Sequence, residues 1–356
     1  MKIAFVLPSL ANKGPIIVAK DLCEEYVSSG HECIIYYFND IYELTMPCTV
    51  VKISFNQPFD FSKWDIIHSH CFMPDMYVGY HHKKIKQGNC LCVTTLHNPI
   101  SFRGLQDNYN ILKRLLLSIG WKWCLSHFDK IVVLNKYLKS KILFINDSKI
   151  EVIFNGRNVL LNAEYNNEDR CIIEQILKLK KNYKIIGTVS SIDRRKNIIQ
   201  IIRALPSLSE FAYVAVGDGP QLTELKKLAE SLNVSDRCIW VGYTPNAINY
   251  YQYMDIFVMC SKSEGFPLAF IEAAAWGKPV VLSDIPILKS IATKQEVCYY
   301  HLDDNDSFIE NIHKADANSE SLNFNIKKYY QTFLTKKIMA NKYLALYNKM
   351  EDNKGE

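Results

Sequence analysis

The chain has 356 residues, 48% hydrophobic and 22% charged, which is enough apolar material for two cores in domains of about 170 residues each. Its formal charge of +5 is too small and too dispersed to argue for a nucleic-acid partner. Eleven scattered cysteines with no Cys-x-x-Cys pair point to a reduced, cytoplasmic protein. No run approaches the roughly 18 apolar residues of a membrane span, and Pro8 interrupts the N-terminal apolar run too early for a signal-peptide core.

Residues 2–7 read as a strand, and a loop then leads into a helical pattern with Val18, Leu22, Tyr26 and Val27 on one face. This β-loop-α opening is that of a doubly wound sheet, which binds ligands at the carboxyl ends of its strands. Gly14 precedes the helix, where a missing side chain lets a phosphate or sugar approach backbone N–H groups. A lone glycine there also serves as a plain turn. Further strand-like runs at 33–38, 50–53, 64–68, 91–95, 130–134 and 151–154 alternate with helical or loop lengths, which argues a parallel α/β sheet.

His68 and His70 are two apart and face one side of a strand; His81, His82 and His97 follow. No carboxylate or thiol stands at zinc-ligand spacing to them, so no metal site is expected. Residues 110–128 set Lys113, Arg114 and Lys122 beside Leu115, Leu116, Trp121 and Trp123, and Lys83, Lys84 and Lys86 lie nearby in sequence. Such a stretch suits a membrane interface. A core helix with solvated cations is the more ordinary account. Asn155-Gly156 reads as a turn with positive φ, and a polar linker region at 161–183 separates the halves.

The second half begins with a strand at 184–189 and the loop Ser190-Ser-Ile-Asp-Arg194-Arg195-Lys196-Asn. Cations between a strand and a helix suit phosphate oxygens, because they neutralise the charge that builds on a departing diphosphate; three adjacent cations also make an ordinary solvated turn. The strand 211–216 ends in Gly217-Asp-Gly219, a turn that favours glycine with or without a ligand. Strands at 239–242 and 255–260 follow, the first running into the loop Gly242-Tyr243. Asp304-Asn-Asp306 is assigned no site, and a lysine- and tyrosine-rich helical tail starts at Ile326.

The densest stretch is 261–284. A polar loop turns at Gly265, Pro267 opens a helix, Glu272 sits inside it, and Gly277 ends it in the left-handed region with Pro279 beyond. On helical geometry Glu264 and Glu272 are separated by roughly 12 Å of rise and about 80° of rotation, so they share a side. A glycoside hydrolase wants its carboxyls about 5–9.5 Å apart; this pair better suits two parts of one long ligand. Backbone N–H groups over 266–268 favour anionic oxygen. A loop acid complementing the helix dipole plus an ordinary surface glutamate fits the spacing equally well.

Glu264-Gly265-Phe266-Pro267-Leu268, then Glu272-Ala273, Gly277, Pro279 and Val280, resemble the paired-glutamate signature of glycosyltransferase family 4. The resemblance implies an α/β, GT-B fold: two Rossmann-like doubly wound domains with a cleft between them, an acceptor-side domain at 1–160, a nucleotide-sugar domain at 184–330, and a final helix at 331–356 crossing back to the first. It implies metal-independent, retaining transfer from a nucleotide-diphosphate sugar, with a UDP-sugar favoured, to a carbohydrate or polyprenol-linked acceptor in polysaccharide (lipopolysaccharide O-antigen or capsule) biosynthesis. By the same resemblance Lys196 holds the diphosphate, Glu272 the ribose, and Glu264 with the backbone of Gly265, Phe266, Pro267 and Leu268 the donor sugar. His97 in Thr-Thr-Leu-His-Asn-Pro looks like the strand-end histidine of the donor pocket, and Asp65-Ile-Ile-His68-Ser-His70 like the acceptor-side strand. Gly217 and Gly219 look like the turn near the nucleotide. Three positions depart from the family: Pro15 replaces the second glycine after Gly14, Ser190 replaces a glycine and Ser191 an arginine, so that either Arg194 or Arg195 reaches in from a neighbouring position or Lys196 works with less help. No cofactor is implied, and peripheral contact with the inner membrane face accompanies the lipid-linked acceptor. A sugar-nucleotide epimerase or phosphorylase, or a degenerate scaffold partner, are the alternatives.

Overall fold

The computed structural model describes residues 1–98, 110–159 and 167–354. They fall into two compact units, Met1–Arg157 with Leu334–Glu356, and Asn158–Phe333. No helix of the described residues is long and apolar enough to cross a membrane.

In the first unit the described strands are β1 (Lys2–Leu7), β2 (Glu32–Tyr37), β3 (Thr49–Lys52), β4 (Ile66–His70), β5 (Leu91–Leu96), β6 (Lys130–Val133) and β7 (Ile150–Val152), all parallel, in the order β3-β2-β1-β4-β5-β6-β7. Five of the six residues of β1 are buried, because crossover helices cover both faces of a parallel sheet and an alternating pattern has no use there. Edge strand β3, Thr-Val-Val-Lys, is exposed throughout and short, which limits unwanted pairing. The helices are α1 (Gly14–Ser28), α2 (Phe72–Tyr80), α3 (His82–Gln87), α4 (Ile111–Ser126) and α5 (Lys136–Ser140). Strand order reverses between β1 and β4, so the loops leaving their carboxyl ends diverge and open a crevice.

The C-terminal helix, Lys336–Asp352, belongs to this unit and is capped by Thr335, whose Oγ1 accepts from Ile338 N at 3.3 Å. It explains Gly156, which does not use positive φ. A Cβ at Gly156 would collide with the Thr335 carbonyl oxygen, so the glycine serves close backbone approach rather than the expected Asn-Gly turn.

The second unit has α6 (Asn167–Leu179), β8 (Lys184–Val189), α7 (Ile199–Ala204), β9 (Phe211–Val216), α8 (Leu222–Ser231), β10 (Cys238–Gly242), β11 (Ile256–Met259), α9 (Leu268–Ala275), β12 (Val280–Ser283), α10 (Pro286–Lys289), β13 (Cys298–Tyr300), α11 (Asn305–Ala317) and α12 (Ser319–Tyr329). Its parallel sheet runs β10-β9-β8-β11-β12-β13, reversing between β8 and β11. Ile186, Ile201, Phe211, Tyr213, Val258 and Val281 lie in the core. Of the polar region at 161–183, residues 161–166 lie outside the described residues. Helix α6 is pinned by buried Asp169, which accepts from Tyr250 Oη (2.7 Å) and Asn246 Nδ2 (2.9 Å). Asp304 caps α11, accepting from Ser307 N at 3.0 Å.

Candidate active site

The reversal between β8 and β11 brings two loops together, 190–197 after β8 and 260–267 after β11. Asp193 tightens the first: its Oδ1 accepts from Arg195 N (2.9 Å) and Lys196 N (3.1 Å), and Ser191 Oγ donates to its Oδ2 (2.7 Å). Burial opposes ionisation of Asp193, yet the Ser191 hydroxyl, the Arg195 charge and the two amides hold its carboxyl below the usual range. The next turn falls to Asn197, buried at φ +54, a conformation that asparagine tolerates better than most residues. Its Nδ2 bonds Gln200 Oε1 (3.2 Å) and Asp303 Oδ1 (3.0 Å).

These turns aim both cations at one carboxylate. Lys196 Nζ lies 2.6 Å from Glu264 Oε1 and Arg195 Nη1 lies 3.3 Å from Glu264 Oε2. Arg195 Nη1 also donates to the Ser263 carbonyl (3.1 Å), while Lys262 N donates to the Arg195 carbonyl (2.8 Å). The structure therefore selects Arg195 over Arg194 as the cation beside Lys196. Glu264 is 8% exposed, so the pair sits where charges interact more strongly than in water. Asp193 Oδ2 also lies 3.8 Å from Arg195 Nη2, so two cations stand against two carboxylates, and the ammonium and guanidinium are the groups suited to phosphate oxygens.

Pro267 is the extended N-cap of α9 (φ −73°, ψ 124°), with no side-chain cap. The helical projection drawn from Glu264 to Glu272 therefore fails: Glu264 and Gly265 belong to the loop, and only residues from Leu268 onward follow helical geometry. Phe266 is buried, edge-on to Phe270 at 6.5 Å, and anchors the loop. Glu272, 7% exposed inside α9, has Oε2 2.9 Å from the donating Tyr251 hydroxyl, which also reaches the Ala269 carbonyl at 3.1 Å. The helix ends with Gly277 at φ +63, where Gly277 N bonds Ala274 O and Lys278 N bonds Ala273 O, both at 3.0 Å.

Gly217 and Gly219 dock the loop after β9 onto the loop after β8. A Cβ at Gly217 would strike the Ser190 carbonyl oxygen and one at Gly219 the Ile192 carbonyl oxygen; Ser190 N donates to Val216 O (3.0 Å) and Ile192 N to Asp218 O (2.9 Å). Gly217 N also donates to Gly242 O at 2.8 Å, which places Tyr243, 73% exposed, at the same end of the sheet.

In the first unit Gly14 is the first residue of α1, with Pro15 in the opening turn and no side-chain cap from Lys13; Pro15 has no N–H to offer a ligand. His68, His70 and His97 form a buried cluster. His68 Nε2 pairs with Thr95 Oγ1 (2.8 Å) and His68 Nδ1 with Tyr347 Oη (2.7 Å); Tyr343 Oη meets Thr95 Oγ1 (2.8 Å). His70 Nδ1 lies 2.9 Å from His97 Nε2, and buried His70 Nε2 has no partner among the described residues. An unpaired lone pair is better tolerated in the interior than an unpaired N–H, so His70 donates through Nδ1–H and His97 carries its own proton on Nδ1. Burial pushes His68 and His97 down to about 3 and His70 well below its usual value, so all three are neutral.

Tyr251, Asp193 and Asn197 escaped sequence reasoning as members of this site. Asn197 had a signal, its place directly after Lys196 in the loop; Tyr251, in Tyr-Tyr-Gln-Tyr, had none.

Residues 169–331 match the family described as Glycosyl transferases group 1, and residues 56–159 match Glycosyltransferase Family 4. Over 362 aligned positions the chain is 26% identical to the O-antigen biosynthesis glycosyltransferase WclY of Escherichia coli, covering 98% of this chain and 99% of the relative. It is 27% identical over 243 residues to the UDP-Gal:alpha-D-GlcNAc-diphosphoundecaprenol alpha-1,3-galactosyltransferase of Escherichia coli, covering 63% of this chain and 58% of that one. Among solved structures, Anabaena Alr3699/HepE in complex with UDP superimposes with a TM-score of 0.79 at 15% identity, covering 98% and 100% of the two chains. Sucrose-phosphate synthase from Thermosynechococcus elongatus does so with a TM-score of 0.77 at 18% identity, covering 99% and 100%. These two likenesses are of fold: two parallel-sheet α/β domains of the GT-B class.

Proposed function

Because the chain belongs to the group 1 glycosyltransferases of family 4, we propose that it moves a sugar from a nucleotide-diphosphate donor, a UDP-sugar first among them, to a hydroxyl of a carbohydrate or polyprenol-linked acceptor, with retention at the anomeric carbon. Lys196 and Arg195 take the diphosphate, Glu264 with the backbone of 265–268 takes the donor sugar, and Glu272 takes the ribose hydroxyls. Gly217, Gly219 and Tyr243 line the nucleotide; within the first unit His97 offers its Nδ1–H to a sugar oxygen and Gly14 opens α1 toward a phosphate. Catalysis on this reading is stabilisation of charge on the leaving diphosphate together with orientation of the acceptor, so no protein nucleophile is needed. Lys196 and Arg195 supply that positive charge, and transfer proceeds without added metal.

One observation carries the reading: Lys196, Arg195 and Glu264 converge at the strand-order reversal of the second unit, where doubly wound sheets bind ligands. A place in O-antigen or related surface-glycan assembly is supported by the likeness to WclY and to the galactosyltransferase named for a diphosphoundecaprenol acceptor, and a polyprenol-linked acceptor would bring the work to the inner face of the membrane. Incubating the purified protein with UDP-, GDP-, ADP- and dTDP-sugars tests it. Slow hydrolysis of one donor, releasing sugar of unchanged anomeric configuration, is the expected outcome; an epimerised donor, or no turnover of any, contradicts it.

A further inference from the structure

Helix α4 faces the wrong way for a soluble surface. Its inner side is conventional: Trp121, Cys124 and Leu125 are buried against α2, Trp121 Nε1 donates to Asp75 Oδ2 at 3.0 Å, and Gly79 makes room for Cys124. The outer side carries Ile111 (76% exposed), Leu112 (66%), Leu115, Leu116 (61%), Ile119 and Trp123 (51%). Helical rotation of about 100° per residue gathers these six on one face, opposite the buried one. The stretch therefore departs from a core helix with solvated cations. The apolar strip runs on past the helix, because Lys122 Nζ lies 5.3 Å from the centre of the exposed Phe144 ring, with Leu143 beside it.

Charge identifies what covers the strip. From Met76 to Phe128 the sequence holds seven lysines and arginines and one acid, Asp107, so these residues carry more net positive charge than the whole chain. Helix α4 contains no Asp or Glu. Trp123 packs tilted against His127 at 4.5 Å and meets His82, the first residue of α3, edge-on at 5.7 Å, which brings α3 with its exposed Lys83, Lys84 and Lys86 alongside. Facing a second copy, this strip would set like charge against like charge. An anionic lipid surface takes both parts: apolar side chains and the tryptophan enter the headgroup boundary while the lysines meet phosphates.

We propose that the outward face of α4, rimmed by Lys83, Lys84, Lys86 and Lys122, docks the protein on an anionic lipid bilayer. The proposal adds a surface to the membrane-side reading above, and its test does not involve transfer. Flotation of the full chain with vesicles of phosphatidylcholine alone, or mixed equally with phosphatidylglycerol, should show binding to the mixed vesicles only, weakening as salt rises. Leu116→Glu with Ile119→Glu should reduce that partition at least tenfold, and Lys83→Glu with Lys122→Glu should abolish the preference for phosphatidylglycerol. All four side chains point outward, so thermal melting and solution donor hydrolysis stay at wild-type values. Failure of the wild-type protein to float with mixed vesicles, or flotation of Leu116→Glu/Ile119→Glu equal to wild type, overturns the proposal, as does a concentration-dependent dimer that this double variant dissolves while vesicle binding persists. Loss of donor hydrolysis with intact flotation would instead count against the transferase reading alone.

Discussion

Lys196 Nζ and Glu264 Oε1 are 2.6 Å apart although 68 positions separate them in the chain. Each stands just past the carboxyl end of a strand, and those strands, β8 and β11, are neighbours only because the sheet order reverses there. Lys196 has further protons to offer a phosphate while its position is held by Glu264, and Arg195 braces the same carboxylate. Removing Lys196 therefore leaves Glu264 paired and the fold intact. We expect Lys196→Ala to lower kcat about 10²–10³-fold, the scale of losing one preorganised charge-stabilising donor, with an unchanged melting temperature. A steady-state assay beside a thermal melt reads both.

Tyr251 gives a finer test of the ribose role of Glu272. Its hydroxyl orients the carboxylate from a buried position without reaching the reacting centre. Tyr251→Phe should raise the KM for donor roughly 3–10-fold, the equivalent of one hydrogen bond of about 0.5–1.5 kcal/mol, and leave kcat near wild type. A fall in kcat at unchanged KM would remove Glu272 from the ribose.

The His70–His97 pair predicts a tautomer. Nitrogen-15 spectra should show His97 protonated on Nδ1 and no His97 titration from about pH 5 to pH 8, since burial holds it near 3. An Nε2–H signal for His97 would contradict the assignment, as would a titration near the usual histidine value.

Asp75 predicts how stability depends on pH. Burial pushes it to about 7, against hydrogen bonds from Thr94, Ser69 and Trp121 that favour the anion. Because the folded value lies above the unfolded one, the folded state holds an extra proton between about pH 4 and 7, and this site's contribution to stability falls as pH rises through that window. Asparagine reproduces the neutral form, with its amide toward the Ser69 and Thr94 hydroxyls and its oxygen toward Trp121 Nε1. Asp75→Asn should therefore gain on wild type by about 1.4 kcal/mol per pH unit across the window. Denaturant melts at three pH values check this; a pH-independent difference would contradict it. Buried His68 and His97 act in the opposite sense in both proteins and cancel from the comparison.

The strands were legible where both faces are covered, as in β1, because a continuous apolar run with turn residues at its ends admits few other readings. Strand β4 begins two residues later than read, at Ile66: Asp65 is occupied by the Lys2 amide, bonded to its Oδ2 at 2.7 Å, so the hydrophobic run starting at Trp64 overstates the ladder. The loop 261–267 and the helix after it were legible as local structure through Gly265, Pro267 and Gly277. It was not legible that Glu264 meets Lys196, since no local pattern encodes a strand-order reversal. Gly156 misled for a related reason, because its close neighbour Thr335 arrives from the far end of the chain. For α4 the sequence disclosed amphipathicity, but which side faces inward depended on Asp75 and Gly79 in α2.

Calorimetric titration of UDP into the wild-type protein and into Lys196→Ala and Glu272→Ala tests the site most directly. The convergence at the β8–β11 reversal predicts one binding site in the wild type and at least tenfold weaker binding in each variant, with melting temperatures unchanged. Equal affinity in all three proteins would place the nucleotide elsewhere and contradict the assignment.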